Sequence, residues 1–179
     1  MSSSGRPDGA GRSEIERRSY GLGPYRFALY RRWGRPDRGV SFVGLHPPPA
    51  DGPDEDRAVL RCLEFAQAWG YGSLSVVNLY AFRARSAFEL AAAADPIGAD
   101  NPSWIATACQ GGDVVLAWGA SIGPRPSAVR DTVSDLLVRA RRVDALGFCS
   151  NGQPRAPLFV RASQERGLCA PAIRAIFAL

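Results

Sequence analysis

Lysine is absent from this chain, and all 22 basic residues are arginine. That excludes a G-x-x-x-x-G-K-[ST] phosphate loop and any Schiff-base enzyme, since both need a lysine amine. Histidine occurs once, at His46. An H-E-x-x-H zinc motif therefore cannot be built, and a Ser-His-Asp triad would have to use that one imidazole. The four cysteines, Cys62, Cys109, Cys149 and Cys169, stand far apart in sequence. Without a C-x-x-C pair they read as small buried thiols rather than zinc ligands. No G-x-G-x-x-G turn follows a strand. No apolar run nears the ~20 residues of a membrane helix. The opening MSSSGRPDGAGRSEIERR lacks the apolar stretch of a secretory signal. A cytoplasmic chain with no membrane partner is expected.

What the chain does have is enough apolar content for one full core: 46% of 179 residues. Its net charge of +5 is unevenly spread. Residues 1–38 hold nine arginines against Asp8, Glu14, Glu16 and Asp37, while the remainder is neutral. A basic arm can track phosphates, and a solvated tail would carry the same excess. Residues 1–18, almost without apolar side chains, read as a disordered basic tail, and 19–179 as a single domain.

Beyond the tail, strand and helix patterns alternate. Tyr25–Trp33 alternates like a strand, Gly34–Gly39 reads as a turn, and Val40–Leu45 is a short buried strand. The two strands together predict an antiparallel hairpin. Asp54 or Asp56 opens a helix with Val59, Leu60, Leu63, Phe65, Ala66 and Trp69 on its apolar face, and Gly70 ends it. Leu74–Tyr80 is a second buried strand. Ser86 and Glu89 form a capping box for a helix over Ala87–Ala94, and Asn101-Pro102 opens another. Asp113–Trp118 is a third buried strand, and Ser127–Arg142 an amphipathic helix. Val143–Cys149 and Leu158–Val160 are the last strand candidates, and Pro171–Leu179 a terminal helix. This order predicts a three-layer α/β/α sandwich with a mostly parallel central sheet plus the antiparallel N-terminal hairpin.

Open α/β sheets bind ligands at the carboxyl ends of their strands, so the segments there carry the candidates. His46 begins a proline-rich turn that also holds Asp51 and Asp54. An imidazole can exchange a proton near neutrality. Asn78 sits inside an apolar strand, where its amide either satisfies backbone or reads a base edge. Tyr80 and Trp118 can stack on a base or pack in the core. Arg83 and Arg155 can take phosphate bidentately or pair with nearby carboxylates. Asn151 stands in the last turn, just ahead of Arg155.

Arg61–Gly72, in the pattern R-C-x-x-F-A-x-x-W-G-Y-G, together with Val76-Val77-Asn78-Leu79, resembles the bacterial and phage family catalogued as domain of unknown function 1643. The likeness spans roughly residues 25–161. The motif order is also similar to that of the uracil-DNA glycosylase superfamily. Those enzymes carry a G-x-x-P turn, here Gly44-Leu45-His46-Pro47, then a strand asparagine that reads the pyrimidine edge, here Asn78. The position before the proline helps place the attacking water; His46 stands there instead of Asp or Asn. A late H-P histidine stabilises the departing base, and here Ala156 replaces it.

The resemblance implies a uracil-DNA-glycosylase-like fold that binds nucleic acid or a nucleobase-containing small molecule. It implies His46 with Asp51 or Asp54 as the catalytic group. Asn78, Tyr80, Arg83, Trp118, Asn151 and Arg155 would then contact the substrate. If the chain is an enzyme, the expected reaction is N-glycosidic hydrolysis. The alternatives are a non-catalytic binding module of the same fold, or an enzyme acting on a free nucleoside or another small metabolite. No cofactor, no metal and a monomer are expected.

Overall fold

The computed structural model describes residues 15–49, 56–161 and the backbone of 167–168. The strands are β1 (Glu16–Leu22), β2 (Tyr25–Arg32), β3 (Gly39–Gly44), β4 (Ser73–Asn78), β5 (Asp113–Leu116), β6 (Arg142–Ala145) and β7 (Gly167–Leu168). The helices are α1 (Arg57–Ala68), α2 (Ala87–Ala92), α3 (Asn101–Cys109) and α4 (Pro126–Arg139). The sheet order is β1-β2-β4-β3-β5-β6-β7. The four central strands, β4-β3-β5-β6, are parallel, and the strands at either edge pair antiparallel. This is a mixed α/β fold, with a mostly parallel sheet centre flanked by helices.

Strand periodicity divides the core in two. Phe42, Val76 and Val115 pack with Val59, Phe65 and Ala66 of α1. Val43, Val77, Val114 and Leu116 point the other way, against Ile105 of α3 and Val129, Val133 and Leu136 of α4. Successive strand side chains alternate between faces, so a strand buried on both faces must be apolar throughout. That is why VSFVG stands at the sheet centre.

The expected hairpin is corrected. β2 does not pair with β3, because β4 inserts between them. The hairpin is β1–β2, closed at Gly23-Pro24 with Gly23 at φ 57°. β1 starts at Glu16, so residues 16–18, expected in the tail, lie in a strand. Its apolar content is low because one side of β1 is a sheet edge, where charge discourages pairing with another chain. Leu158–Val160 is not a strand. Pro157–Phe159 forms a 3₁₀ turn, with the Val160 N–H on the Pro157 carbonyl. Leu60, expected on the apolar face of α1, is exposed, and Cys62 is buried there instead. Asp56 is the N-cap of α1, accepting from the Ala58 N–H at 2.9 Å. The Ser86 hydroxyl accepts from the Glu89 N–H at 3.2 Å, but the Glu89 carboxylate accepts from the Arg85 N–H, one residue beyond the Ser86 N–H of a capping box. The predicted helix over Pro171–Leu179 lies outside the described residues.

Burial pushes the Cys109 thiol up to about 12, and burial reinforced by the Asp56 charge pushes Cys62 up as well. Unfolded thiols ionise near ~8.5. The native state therefore holds protons that the unfolded chain has released. This contribution is fully present below pH ~8.5 and is lost as pH rises towards the folded values. Denaturation midpoints should fall between pH 7 and pH 10, and less so in Cys62→Ala/Cys109→Ala. A thiol reagent should label these two cysteines only on unfolding.

Candidate functional site

Loops leaving β3 and β5 go to opposite faces, one into α1 and the other into α4. Adjacent strands whose connections diverge in this way open a crevice at their carboxyl ends. Gly44 ends β3 directly beside Asn78, which ends β4. A Cβ on Gly44 would lie 2.6 Å from the Asn78 amide oxygen, so only glycine lets that side chain lie flat there. The parallel pairing continues past both strands, through Leu79 N–H to Gly44 O and Tyr80 N–H to Leu45 O, each at 2.9 Å. Asn101, fully buried at the start of α3, donates to the Asn78 and Leu79 carbonyls at 3.0 and 3.2 Å.

A cavity of about 130 Å³ occupies this crevice. Its walls include Phe42, Gly44, His46, Asn78, Trp118 and Ala156. Three groups far apart in sequence, His46, Asn78 and Trp118, are thus brought together. Asn78 is only 4% exposed, and its amide nitrogen is buried with no hydrogen-bond partner among the described residues. A buried donor left unsatisfied costs about 1–3 kcal/mol. The Trp118 indole N–H donates to the Gln153 side-chain oxygen at 2.8 Å, which fixes the ring in the wall. His46 Nδ1 lies 3.1 Å from the Pro47 carbonyl oxygen. A carbonyl only accepts, so that bond puts the proton on Nδ1 and leaves Nε2 as the basic nitrogen.

The other expected contacts stand elsewhere. Tyr80 is fully buried on the α4 face and does not line the cavity. Its hydroxyl donates to the Ile122 carbonyl at 2.7 Å and accepts from the Arg125 N–H at 3.0 Å. Burial pushes the phenol up. Arg155 is exposed and donates to the Phe148 carbonyl at 2.9 Å. Asn151 ties the last turn to the turn after β5, through Ala120 O at 2.8 Å. Neither side chain reaches the cavity wall, and nor does that of Arg83. Asp51 and Asp54 lie outside the described residues.

The cavity wall also contains groups that sequence reasoning missed. Arg26, 2% exposed, lines it, with a guanidinium nitrogen 3.8 Å from an Asp56 oxygen. The signal was an arginine between two aromatics, Tyr25 and Phe27, at the start of the strand. Cys62 and Val59 reach the wall from α1. Among the described residues, no three His, Cys, Asp or Glu side chains converge where a metal ion could sit. No helix among them is long and apolar enough to cross a membrane.

Residues 26–158 match the family described as Protein of unknown function (DUF1643). The chain belongs to this family. No curated protein and no solved structure matches it. In this DUF1643 chain, much of the Arg61–Gly72 pattern is structural. Arg61 donates to the Val160 carbonyl and lies over the Phe65 ring, 5.4 Å from its centroid. Trp69 packs on Phe65 and stacks on Phe42. The Tyr71 hydroxyl donates to Asp113 at 2.6 Å. Of this pattern, only Cys62 lines the cavity.

Proposed function

We propose that this chain binds a nucleobase-bearing ligand, with a single base ring in the crevice at the ends of β3, β4 and β5. The observation that carries the reading is the buried Asn78 amide nitrogen, without a hydrogen-bond partner among the described residues, in the wall of a ring-sized cavity. An apolar cavity of about 150 Å³ takes up benzene, so about 130 Å³ suits one six-membered ring. A two-ring purine would need the walls to move. Phe42 and Trp118 supply apolar and aromatic wall, and Asn78 supplies a donor for an acceptor on the ring edge. The ligand is a flipped base of nucleic acid or a free nucleoside.

A second reading, hydrolysis of the ligand's N-glycosidic bond, is favoured by His46. Its Nδ1 contact with Pro47 leaves Nε2 to take a proton from an attacking water. Hydrolysis also needs a donor for the charge that develops on the departing base. Ala156 offers no side-chain donor, and the Arg155 guanidinium is engaged with Phe148. Those two features favour binding without cleavage.

The test is incubation with single- and double-stranded oligonucleotides carrying uracil or modified pyrimidines, and with the free nucleosides. Wild type runs beside His46→Ala and Asn78→Ala. Binding retained by His46→Ala and lost by Asn78→Ala, with no abasic sites, is the expected result. Abasic sites lost in both variants would establish the hydrolytic reading, with a rate loss of about 10²-fold or more for His46→Ala. No binding of any base-bearing probe would overturn both.

A further inference from the structure

The arginine excess of the N-terminal region is not used by the cavity, apart from Arg26. Between Ile15 and Arg38 there are seven arginines against Glu16 and Asp37. The β1–β2 hairpin gathers several of them. Its antiparallel register sets Arg18 opposite Tyr30, Glu16 opposite Arg32 and Tyr20 opposite Ala28. Directly opposed residues share a sheet face, so Glu16, Arg18, Tyr20, Tyr30 and Arg32 all stand on the α3 side.

A groove of about 400 Å³ runs between this ladder and α3. Its origin is local. Ala28 of β2, Ser75 of β4 and Ala108 of α3 are small side chains among its lining residues, and they leave the space open. Its aromatic wall is Tyr20, Tyr30 and Trp104. Trp104 is held by Phe27, stacked at 5.9 Å, and by Tyr20 at 5.2 Å. Its rim is Arg18 and Arg32, both exposed and both paired with Glu16, which leaves the trio one positive charge. The groove lies on the α3 side of the sheet, whereas the crevice cavity is lined from α1 on the other side.

We infer that this groove binds single-stranded nucleic acid, its bases against the aromatic wall and its phosphates on Arg18 and Arg32. A ring wall beside a cationic rim is the combination that holds single strands without reading sequence. The volume lies within the ~300–1,000 Å³ of ordinary ligand sites. None of the crevice residues takes part, so this inference and the proposed function can fail separately.

The experiment is fluorescence anisotropy of labelled oligothymidylate, with the protein titrated at several salt concentrations. Circular dichroism melts establish that each variant folds. Arg18→Gln/Arg32→Gln should weaken binding and flatten the log K against log salt line by about 1.4, as two single-strand phosphate contacts are lost. Tyr30→Ala should weaken binding about fivefold or more, with the salt slope unchanged. Glu16→Gln should strengthen it. Arg85→Gln/Arg130→Gln, two exposed arginines off the groove, controls for net charge. Equal weakening by both arginine pairs, or an unchanged affinity in Arg18→Gln/Arg32→Gln, would overturn the inference. Displacement of the oligonucleotide by an equal concentration of thymidine monophosphate would also overturn it, in favour of a free-nucleotide site.

Discussion

Asn78→Val should leave the unliganded fold at least as stable, by up to about 2 kcal/mol, and should abolish uptake of a base in the crevice. The two effects have one cause. The Asn78 amide nitrogen is buried without a partner among the described residues, and an unsatisfied buried donor costs about 1–3 kcal/mol. Valine removes the donor, suits a strand end, and lies beside Gly44, which has no side chain to meet it. A ligand acceptor would relieve the same cost in the wild type, so the penalty in the free protein becomes selectivity in the complex. Chemical denaturation of both proteins, with titration of a base-bearing probe, checks it. A loss of more than about 1 kcal/mol on substitution would mean that the amide supports the fold and is not held for a ligand.

Gly123→Ala is expected to be among the most damaging single-methyl additions to this chain, costing about 2–5 kcal/mol. Its Cβ would stand 2.4 Å from Tyr80 Cε2 and 2.7 Å from both Cζ and the hydroxyl oxygen. Tyr80 cannot retreat. It is fully buried, and its hydroxyl is bonded on either side to Ile122 and Arg125. Overpacking typically costs about 1–3 kcal/mol. Gly123 also has φ 75°, a left-handed conformation that adds roughly 1–2 kcal/mol for any other residue. Gly23→Ala separates the two terms, because Gly23 has φ 57° but nothing within 4 Å of its Cβ. It should lose only about 1–2 kcal/mol. Equal losses in thermal or denaturant unfolding would refute the Tyr80 contact as the cause.

Tyr80 also illustrates where local patterns stop being informative. It stands two residues beyond the end of β4. Inside a strand, period-two alternation says which face a side chain takes. Beyond the strand end, the path of the loop decides, and here it turns Tyr80 into the α4 face to hold the segment before that helix. Trp118 is likewise two residues past β5, yet it reaches the cavity because Gln153, from a turn distant in sequence, holds its indole. Arg155 had the same standing as Trp118 in the sequence. Its guanidinium is taken by Phe148 because the last turn folds back on the segment after β6, where Phe148 pairs with Pro154.

What the sequence determined by itself was the alternation of elements and the side of the sheet on which polar groups gather. Apolar runs such as VSFVG and SVV can be buried only on both faces of a central sheet, and polar turns must follow them. Gly44, His46 and Asn78 were legible for that reason. Sheet order was decided only by the tertiary structure. β4 inserts between β2 and β3, which carries Arg26 to the cavity wall and leaves β1–β2 as an arginine-rich edge beside α3. Strand pairing is non-local. Tyr25–Arg32 satisfies its backbone equally well beside β3 or β4, and the choice falls to how α1 and α3 cover the apolar faces that result.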